Sequence, residues 1–260
     1  MATLHLFGDS YSQGHNLDLT YPQYQSWKNF RGGELPPTWG ELLAEKLEMN
    51  LSVRAVAGMS NQEIFMTFCK HAKEFAKNDI VIINWTYMPR FRWASFERDN
   101  DGEVIIDTRS KPKPMWKRLG GGISPHDLHH INKGTLRDIV LNRTEDIYLE
   151  EIYQYENLIE QFGKAMGFRL FFWSAENSLI FNLPREEQRQ RKYLLHNEFE
   201  ITGSDHHFFE IIKRFGGHKI NDETKGAVMD NHLGESGHKV QFEMFYDYIE
   251  NGKYQYKKIL

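Results

Sequence analysis

Short apolar runs alternate with helical patterns along the first third of the chain. Leu4-His5-Leu6-Phe7 is a mostly apolar run that breaks at Gly8, and residues 51–56 alternate in polarity, so both segments predict strands. The continuous apolar run that follows Asp79 is typical of a strand covered on both faces. Helical spacing between these strands completes a strand–helix–strand–helix–strand order, which predicts a parallel sheet flanked by helices.

Two features of the intervening helices can be predicted in detail. Thr38 and Glu41 have the spacing of a capping box, which indicates that the first helix begins there. One face of the second helix is apolar, and we therefore expect Cys69, which lies on it, to be a core residue rather than a reactive thiol. The residues of this face are Ile64, Phe65, Phe68, Cys69, Ala72 and Ala76.

The second half of the chain continues the pattern with two interruptions. A helix over 152–166 closes near Gly167, a strand follows over 169–173, and a last helix begins near Ser236. Residues 88–135 and 175–228 are irregular, and we interpret them as insertions over the carboxyl edge of the sheet. A small hairpin is expected around Val104-Ile105-Ile106 in the first of them. The whole chain, 1–260, is interpreted as a single domain.

Composition excludes several classes of protein. With 40% hydrophobic and 26% charged residues, the chain is typical of a globular protein. Its net charge of -4 gives no global attraction to nucleic acid or anionic lipid. There is no apolar run of about 18 residues to span a bilayer, and no signal peptide is visible. The single cysteine excludes an internal disulfide, so a soluble, cytoplasmic protein is expected.

The first candidate for chemistry is Gly8-Asp9-Ser10, directly after the first strand. A serine there lies at the carboxyl edge of a parallel sheet, where open α/β folds bind their ligands. Backbone N–H groups of the turn could face a developing oxyanion. The alternative is a polar loop in which the serine caps a helix.

The second candidate is Asp230-Asn231-His232, which precedes the last helix. A serine hydroxyl is a poor nucleophile until a neighbouring base takes its proton, and the base needs a partner that fixes its tautomer. An aspartate and a histidine two residues apart can meet in a turn. The alternative is a surface turn that leads into the helix.

Taken together, these segments resemble the motifs of the GDSL/SGNH hydrolase family. Gly8-Asp9-Ser10 matches the opening motif, and His232 followed by Gly237-His238 matches the closing one. Between them, residues 55–61 resemble the second block, in which Gly58 is the matching glycine. The resemblance implies a flavodoxin-like, doubly wound α/β domain with a mainly parallel sheet of about five strands.

The resemblance also implies ester hydrolysis through an acyl-serine on Ser10. His232 would move the proton, Asp230 would orient the imidazole, and the N–H groups of Ser10 and Gly58 would hold the oxyanion. Neither a metal nor an organic cofactor would be needed. The partner would be a small-molecule or glycan ester; the oligomeric state is left open.

Two positions depart from the family pattern. The family carboxylate usually lies three residues before the histidine, where this chain has Met229, whereas Asp230 lies two before. The third block, Gly-x-Asn-Asp in the family, is here Asn84-Trp85-Thr86-Tyr87, so Thr86 stands where the oxyanion-hole asparagine belongs. The Thr86 hydroxyl, Asn84 or Asn61 could take its place as a donor.

The substrate class is indicated by two weaker features. Aromatic residues make up 14% of the chain and could stack on sugar rings, and they could equally fill the core. The two-residue spacing of aspartate and histidine occurs in relatives that move acyl groups on and off polysaccharides. O-acyl groups on carbohydrate are therefore the expected substrate, with a lipid or aryl ester as the alternative.

Two other readings of the function stay open. Histidine pairs at His126/His130 and His206/His207 could contribute to a metal-dependent hydrolase if three ligands converged on an open site. The altered third block and the shifted aspartate also suit a binding or assembly protein that keeps the fold with an impaired site.

Overall fold

The computed structural model describes residues 1–10, 12, 36–56, 58–86, 91–95, 115–119, 145–174 and 235–251. Six strands and four α-helices occur in these residues. The strands are β1 (Thr3–Gly8), β2 (Asn50–Ala55), β3 (Ile80–Trp85), β4 (Phe91–Ser95), β5 (Met115–Leu119) and β6 (Arg169–Ser174). The helices are α1 (Trp39–Lys46), α2 (Asn61–His71), α3 (Glu145–Met166) and α4 (Glu235–Asn251), with a 3-10 turn at Ala72–Glu74.

Four strands form one parallel sheet in the order β2-β1-β3-β6. The register aligns Gly8 with Ala55 on one side of β1 and Phe7 with Ile83 on the other. Asn84 in turn aligns with Trp173. The parallel sheet predicted from the sequence is confirmed, and the described residues supply four of the roughly five strands expected for such a fold.

Side chains alternate between the two faces of the sheet, and each face carries its own core. On one face, residues such as Leu6 and Ile82 pack with Trp39 of α1 and Phe245 of α4. The other face is covered by α2 and α3, whose apolar residues there include Phe68 and Ile159. Helices on both faces make the domain a doubly wound α/β fold, as predicted.

The predicted helix boundaries follow from local chemistry. Thr38 caps α1 through a complete capping box with Glu41, and Ser60 caps α2 in the same way with Glu63. Gly167 has a φ of +79°, the left-handed conformation that commonly ends a helix, directly after α3. These ends confirm the predicted starts of α1 and α2 and the predicted end of α3, whereas α3 begins at Glu145 and not at the predicted residue 152.

One predicted core residue is wrong. Cys69 is exposed, although partial desolvation of its sulfur raises the pKa of the thiol. The buried residues of α2 are Asn61, Glu63, Ile64 and Phe68. The apolar face is therefore narrower than the sequence pattern indicated, and the next residue after Phe68 is rotated by about 100° toward solvent.

The first predicted insertion contains an antiparallel pair of strands. β4 pairs with β5, with Phe91 opposite Leu119 and Ser95 opposite Met115, and β4 lies next to α2. The hairpin expected around Val104-Ile105-Ile106 lies outside the described residues, as does the second insertion, 175–228. None of the described helices is long and apolar enough to cross a membrane.

Candidate functional site

The predicted site residues that the structure describes converge on the carboxyl edge of the sheet. Ser10 follows β1 by two residues, Gly58 follows β2 by three, and Thr86 is the first residue after β3. Because these three strands are parallel neighbours in the order β2-β1-β3, their ends meet at one edge. Ser10 leaves the sheet between the other two segments.

Ser10 lies in a tight turn immediately beyond β1. The N–H of Ser12 donates to the carbonyl oxygen of Asp9 over 3.0 Å, which makes Ser10 the second residue of a four-residue turn. Ser10 is 9% exposed and Asp9 is fully buried. The turn therefore holds the serine at the packed edge of the sheet, with a small part of its surface exposed.

Gly58 lies in a second turn, beyond β2. The N–H of Met59 donates to the carbonyl oxygen of Val56 over 3.1 Å, and Gly58 has a φ of +77°. A positive φ at the third position is typical of a type II turn and favours glycine. The turn leads directly into Ser60, the N-cap of α2, so the backbone around Gly58 is fixed on both sides.

A buried carboxylate joins the ends of β1 and β3. Asp9 Oδ1 accepts from Asn84 Nδ2 at 3.0 Å, and Asp9 Oδ2 accepts from the Thr86 hydroxyl at 2.6 Å. Asn84 and Thr86 are both fully buried. Two donors to one desolvated carboxylate offset the cost of burying its charge. The residue before the candidate nucleophile is therefore held rigidly.

The Asn61 side chain pairs with the backbone of residue 86. Its Nδ2 donates to the carbonyl oxygen of Thr86 over 3.2 Å, and its Oδ1 accepts from the N–H of Thr86 over 2.7 Å. Asn61 is 7% exposed and is the first residue of α2. Each polar atom of its amide thus has a backbone partner.

These bonds engage the three side chains that the sequence predicts as alternative oxyanion donors, and their role as donors stays a prediction. Thr86 has one hydroxyl proton, and it goes to Asp9. Asn84 is buried with its amide nitrogen on the same carboxylate, and Asn61 is engaged with the backbone. In this arrangement each of the three side chains helps to hold the edge of the sheet together. The backbone N–H groups of Ser10 and Gly58 stay as the predicted donors.

The closing motif is described only in part. Asp230 and His232 lie outside the described residues, so their predicted roles stay predictions. His238 is described and buried, and its Nδ1 accepts from the N–H of Trp39 over 3.3 Å. This bond joins the start of α4 to the start of α1 and needs a ring nitrogen without a proton.

The structure brings together no metal-binding cluster among the residues it describes. No three His, Cys, Asp or Glu side chains in the described ranges are grouped so that they could hold a metal ion. The histidine pairs His126/His130 and His206/His207 lie outside those ranges. The described residues therefore do not test the alternative of a metal-dependent hydrolase.

Sequence reasoning missed the role of Asp9 and the pairing of Glu156. Glu156 of α3 is fully buried and accepts from the indole nitrogen of Trp85 at 2.8 Å. A charged residue at an inward position of a helix was a usable signal for this contact. Asp9 had none, because polar residues in a turn at the end of a strand are usually exposed.

Sequence comparisons find no relatives of this chain. No protein-family model matches it, and a search of curated proteins finds no match.

Comparison with solved structures finds distant likenesses. A protein of the G-D-S-L family from Desulfitobacterium hafniense is 10% identical, with a TM-score of 0.43 over 94% of this chain and 97% of that one. A member of the lipolytic protein G-D-S-L family from Veillonella parvula is 12% identical, with a TM-score of 0.40 over 100% of both chains. A Corynascus thermopiles carbohydrate esterase family 2 enzyme with a carbohydrate-binding domain is 12% identical, with a TM-score of 0.37 over 96% of this chain and 66% of that one.

The described strands and helices define the class of fold. A parallel sheet in the order β2-β1-β3-β6, with helices on both faces, is the α/β fold expected from the GDSL/SGNH resemblance. At 10–12% identity, no residue role passes from the similar structures to this chain. The function has to be argued from the site.

Proposed function

We propose that this chain hydrolyses esters through a covalent acyl-serine on Ser10. The observation that supports the proposal most is the convergence of two turns, at Ser10 and at Gly58, on one edge of the sheet. One turn contains the Ser10 hydroxyl, and the N–H groups of Ser10 and Gly58, one in each turn, are the proposed oxyanion donors. A nucleophile next to oxyanion donors is the minimum that acyl transfer requires.

The proposed reaction has two steps. Ser10 Oγ attacks the acyl carbon while His232 takes the hydroxyl proton, and the alcohol then leaves with that proton as the C–O bond breaks. Water attacks the acyl-serine in the second step, again with His232 as the base. The bond from the acyl carbon to Ser10 Oγ then breaks as His232 returns the proton to Oγ, and the carboxylic acid is released. Asp230 would orient the imidazole throughout. The chemistry requires no metal or organic cofactor.

The oxyanion is proposed to be held by the backbone N–H groups of Ser10 and Gly58. Loss of one donor typically costs about 2.7–4 kcal/mol in the transition state. Because the Thr86 hydroxyl is committed to Asp9, a two-donor hole is expected.

The finer proposal for the substrate is an O-acyl group on carbohydrate. It rests on the two-residue spacing of Asp230 and His232 and on the 14% aromatic content of the chain. Release of acetate from an acetylated polysaccharide, compared with hydrolysis of an aryl acetate and a long-chain lipid ester, tests this choice. A rate that is higher on the lipid ester would contradict it.

The test of the activity compares Ser10→Ala with Ser12→Ala on a short-chain aryl acetate. Ser12 is a matched control, because it is a buried serine in the same turn. We expect Ser10→Ala to lose the activity by about a thousandfold or more, and Ser12→Ala to retain most of it. A fluorophosphonate should label the parent on Ser10, as peptide mass spectrometry would show. Equal activity of the parent and Ser10→Ala would refute the proposal.

A second candidate is a binding protein that keeps the fold without the reaction. The observation that favours it is the hydrogen bonding of Asn84 and Thr86 to Asp9, which engages two of the side chains predicted as oxyanion donors. This reading predicts no fluorophosphonate adduct and no hydrolysis, while acetylated oligosaccharide still binds in calorimetry. If the parent is labelled on Ser10, and both labelling and binding are lost in Ser10→Ala, the result would speak against this candidate.

A further inference from the structure

The side-chain amide of Asn61 makes the hydrogen bonds to residue 86, just after β3, that the backbone of a neighbouring strand would make. It donates to the carbonyl oxygen of residue 86 and accepts from the N–H of the same residue, over 3.2 Å and 2.7 Å. Such a two-point contact fixes both position and orientation, whereas a single hydrogen bond leaves rotation free. We refer to these two bonds as the Asn61 clasp.

The clasp joins segments that the sheet itself does not pair. β2 and β3 lie on opposite sides of β1 in the order β2-β1-β3. Gly58 and Asn61 follow β2, and residue 86 follows β3, so the clasp passes across the end of β1, where Ser10 emerges. The segment that carries Gly58 is thereby tied to a strand two positions away.

The same residue 86 also reaches the serine turn. Its hydroxyl donates to Asp9 at 2.6 Å, and Asp9 immediately precedes Ser10. A continuous, buried set of contacts therefore runs from the start of α2 through Thr86 to the serine turn. The contacts connect the two backbone segments whose N–H groups are the proposed oxyanion donors.

We infer that Asn61 is a positioning residue that sets the separation of the Ser10 and Gly58 N–H groups. The inference rests on the proposed acyl transfer. Oxyanion donors act only when they are fixed at hydrogen-bond distance from the developing charge, and a misplacement of about 1 Å can cost about a hundredfold in rate. Asn61 itself does not touch the substrate.

The first test is Asn61→Ala, with Asp79→Ala as the matched control. Asp79 accepts from the N–H groups of Thr3 and Ala76, each at 2.8 Å, and lies just before β3 at the opposite end of the sheet. Each variant removes two side-chain bonds to the backbone. We expect kcat on an aryl acetate to fall about 10- to 100-fold in Asn61→Ala with KM nearly unchanged, whereas Asp79→Ala keeps the parent kcat.

Asn61→Asp provides a second readout that a purely structural role would not move. An ionised carboxylate still accepts from the N–H of Thr86, but it cannot donate to the carbonyl oxygen 3.2 Å away. Once protonated it can donate again. Burial at this position, which is 7% exposed, should raise the pKa of the introduced carboxyl above its ordinary value of about 3.9. The ratio of the kcat of Asn61→Asp to that of the parent should therefore rise as the pH falls toward 5. This variant also serves if Asn61→Ala or Asp79→Ala does not fold, with Asp79→Asn as its control.

The outcomes separate this inference from the proposed function. If Ser10→Ala and the parent are equally active, the proposed acyl transfer fails and the inference fails with it. If activity depends on Ser10 but Asn61→Ala and Asp79→Ala have the same kcat, only the positioning role fails. A KM that rises in Asn61→Ala at constant kcat would also overturn it, because Asn61 would then act in substrate binding.

Discussion

Gly8 determines how closely the ends of β1 and β3 approach. A Cβ at this position would lie 2.7 Å from the Cβ of Asn84 and 2.9 Å from the Oγ of Ser12. Atoms at these distances overlap, and Asn84 Cβ is attached to the backbone and cannot swing away. The close approach brings Asp9 within hydrogen-bond distance of Asn84 and Thr86. The glycine of the opening motif thus serves packing of the edge.

Gly8→Ala should therefore destabilise the fold and disturb the site together. Overpacking of this kind costs about 1–3 kcal/mol, and the Asp9 contacts should be lost because β1 must move. Urea unfolding measures the first effect, and the rate of fluorophosphonate labelling of Ser10 measures the second. An unchanged midpoint would mean that β1 and Asn84 separate without cost.

Gly58 has a different reason to be glycine. Its φ of +77° is unfavourable for other residues, while no described atom lies within 4 Å of a Cβ built there. Gly58→Ala should cost about 1–2 kcal/mol through backbone conformation alone. Gly58→Asn should cost less, because asparagine tolerates the left-handed region. Urea unfolding measures the free energy of unfolding of the two variants. An equal decrease in both would contradict the conformational explanation.

At the level of elements, two capping boxes start helices on opposite faces of the sheet. Thr38 caps α1 and Ser60 caps α2, each with a glutamate three residues later. α1 packs in the core on one face of the sheet, and α2 packs in the core on the other face.

Thr38→Ala and Ser60→Ala should each lower the free energy of unfolding by about 1 kcal/mol. In the double variant the losses should add to within about 0.5 kcal/mol, since the caps are independent. Chemical denaturation of the four proteins completes the cycle. A clearly larger coupling would show that the two helix starts communicate through the sheet edge.

At the level of the whole molecule, a buried histidine–aspartate pair makes the stability of the fold depend on pH. At the amino end of the sheet, His5 is buried with its Nε2 3.3 Å from Asp79 Oδ2, and its ring packs edge-on against Phe75. Burial lowers the pKa of His5 below 6.5, and the Asp79 carboxylate opposes this shift without cancelling it. Arg54 lowers the pKa further and Glu74 raises it.

Stability should consequently depend on pH in a defined direction. The folded chain binds the His5 proton less tightly than the unfolded chain does, so this contribution is present above pH 6.5 and is lost as the pH falls below it. The variant His5→Phe keeps an aromatic ring but does not titrate. As the pH falls from about 7.5 to 5.5, the free energy of unfolding of the parent should therefore decrease relative to that of His5→Phe. Parallel pH profiles would contradict it.

The sequence was informative where short-range rules apply. Buried strands such as β3 follow from apolar runs, and α1 and α2 follow from periodicity, since both properties are set by near neighbours. Cys69 shows the limit of the same rule. Periodicity gives a face, but the width of the buried stripe depends on what packs against it, and here only part of the face is covered.

The candidate site likewise has features that the sequence predicts and features that depend on tertiary packing. The sequence by itself determined the order of Gly8-Asp9-Ser10, Gly58 and the closing motif along the chain, and with it the placement of Ser10 and Gly58 just after the first two strands. Only the tertiary structure decided which polar groups meet at the edge. Thr86 binds Asp9 across 77 positions of sequence, and Asn61 binds residue 86 across 25. Hydrogen bonds are short and directional, so partners that are distant in sequence are fixed by how the strands pack and not by residue type.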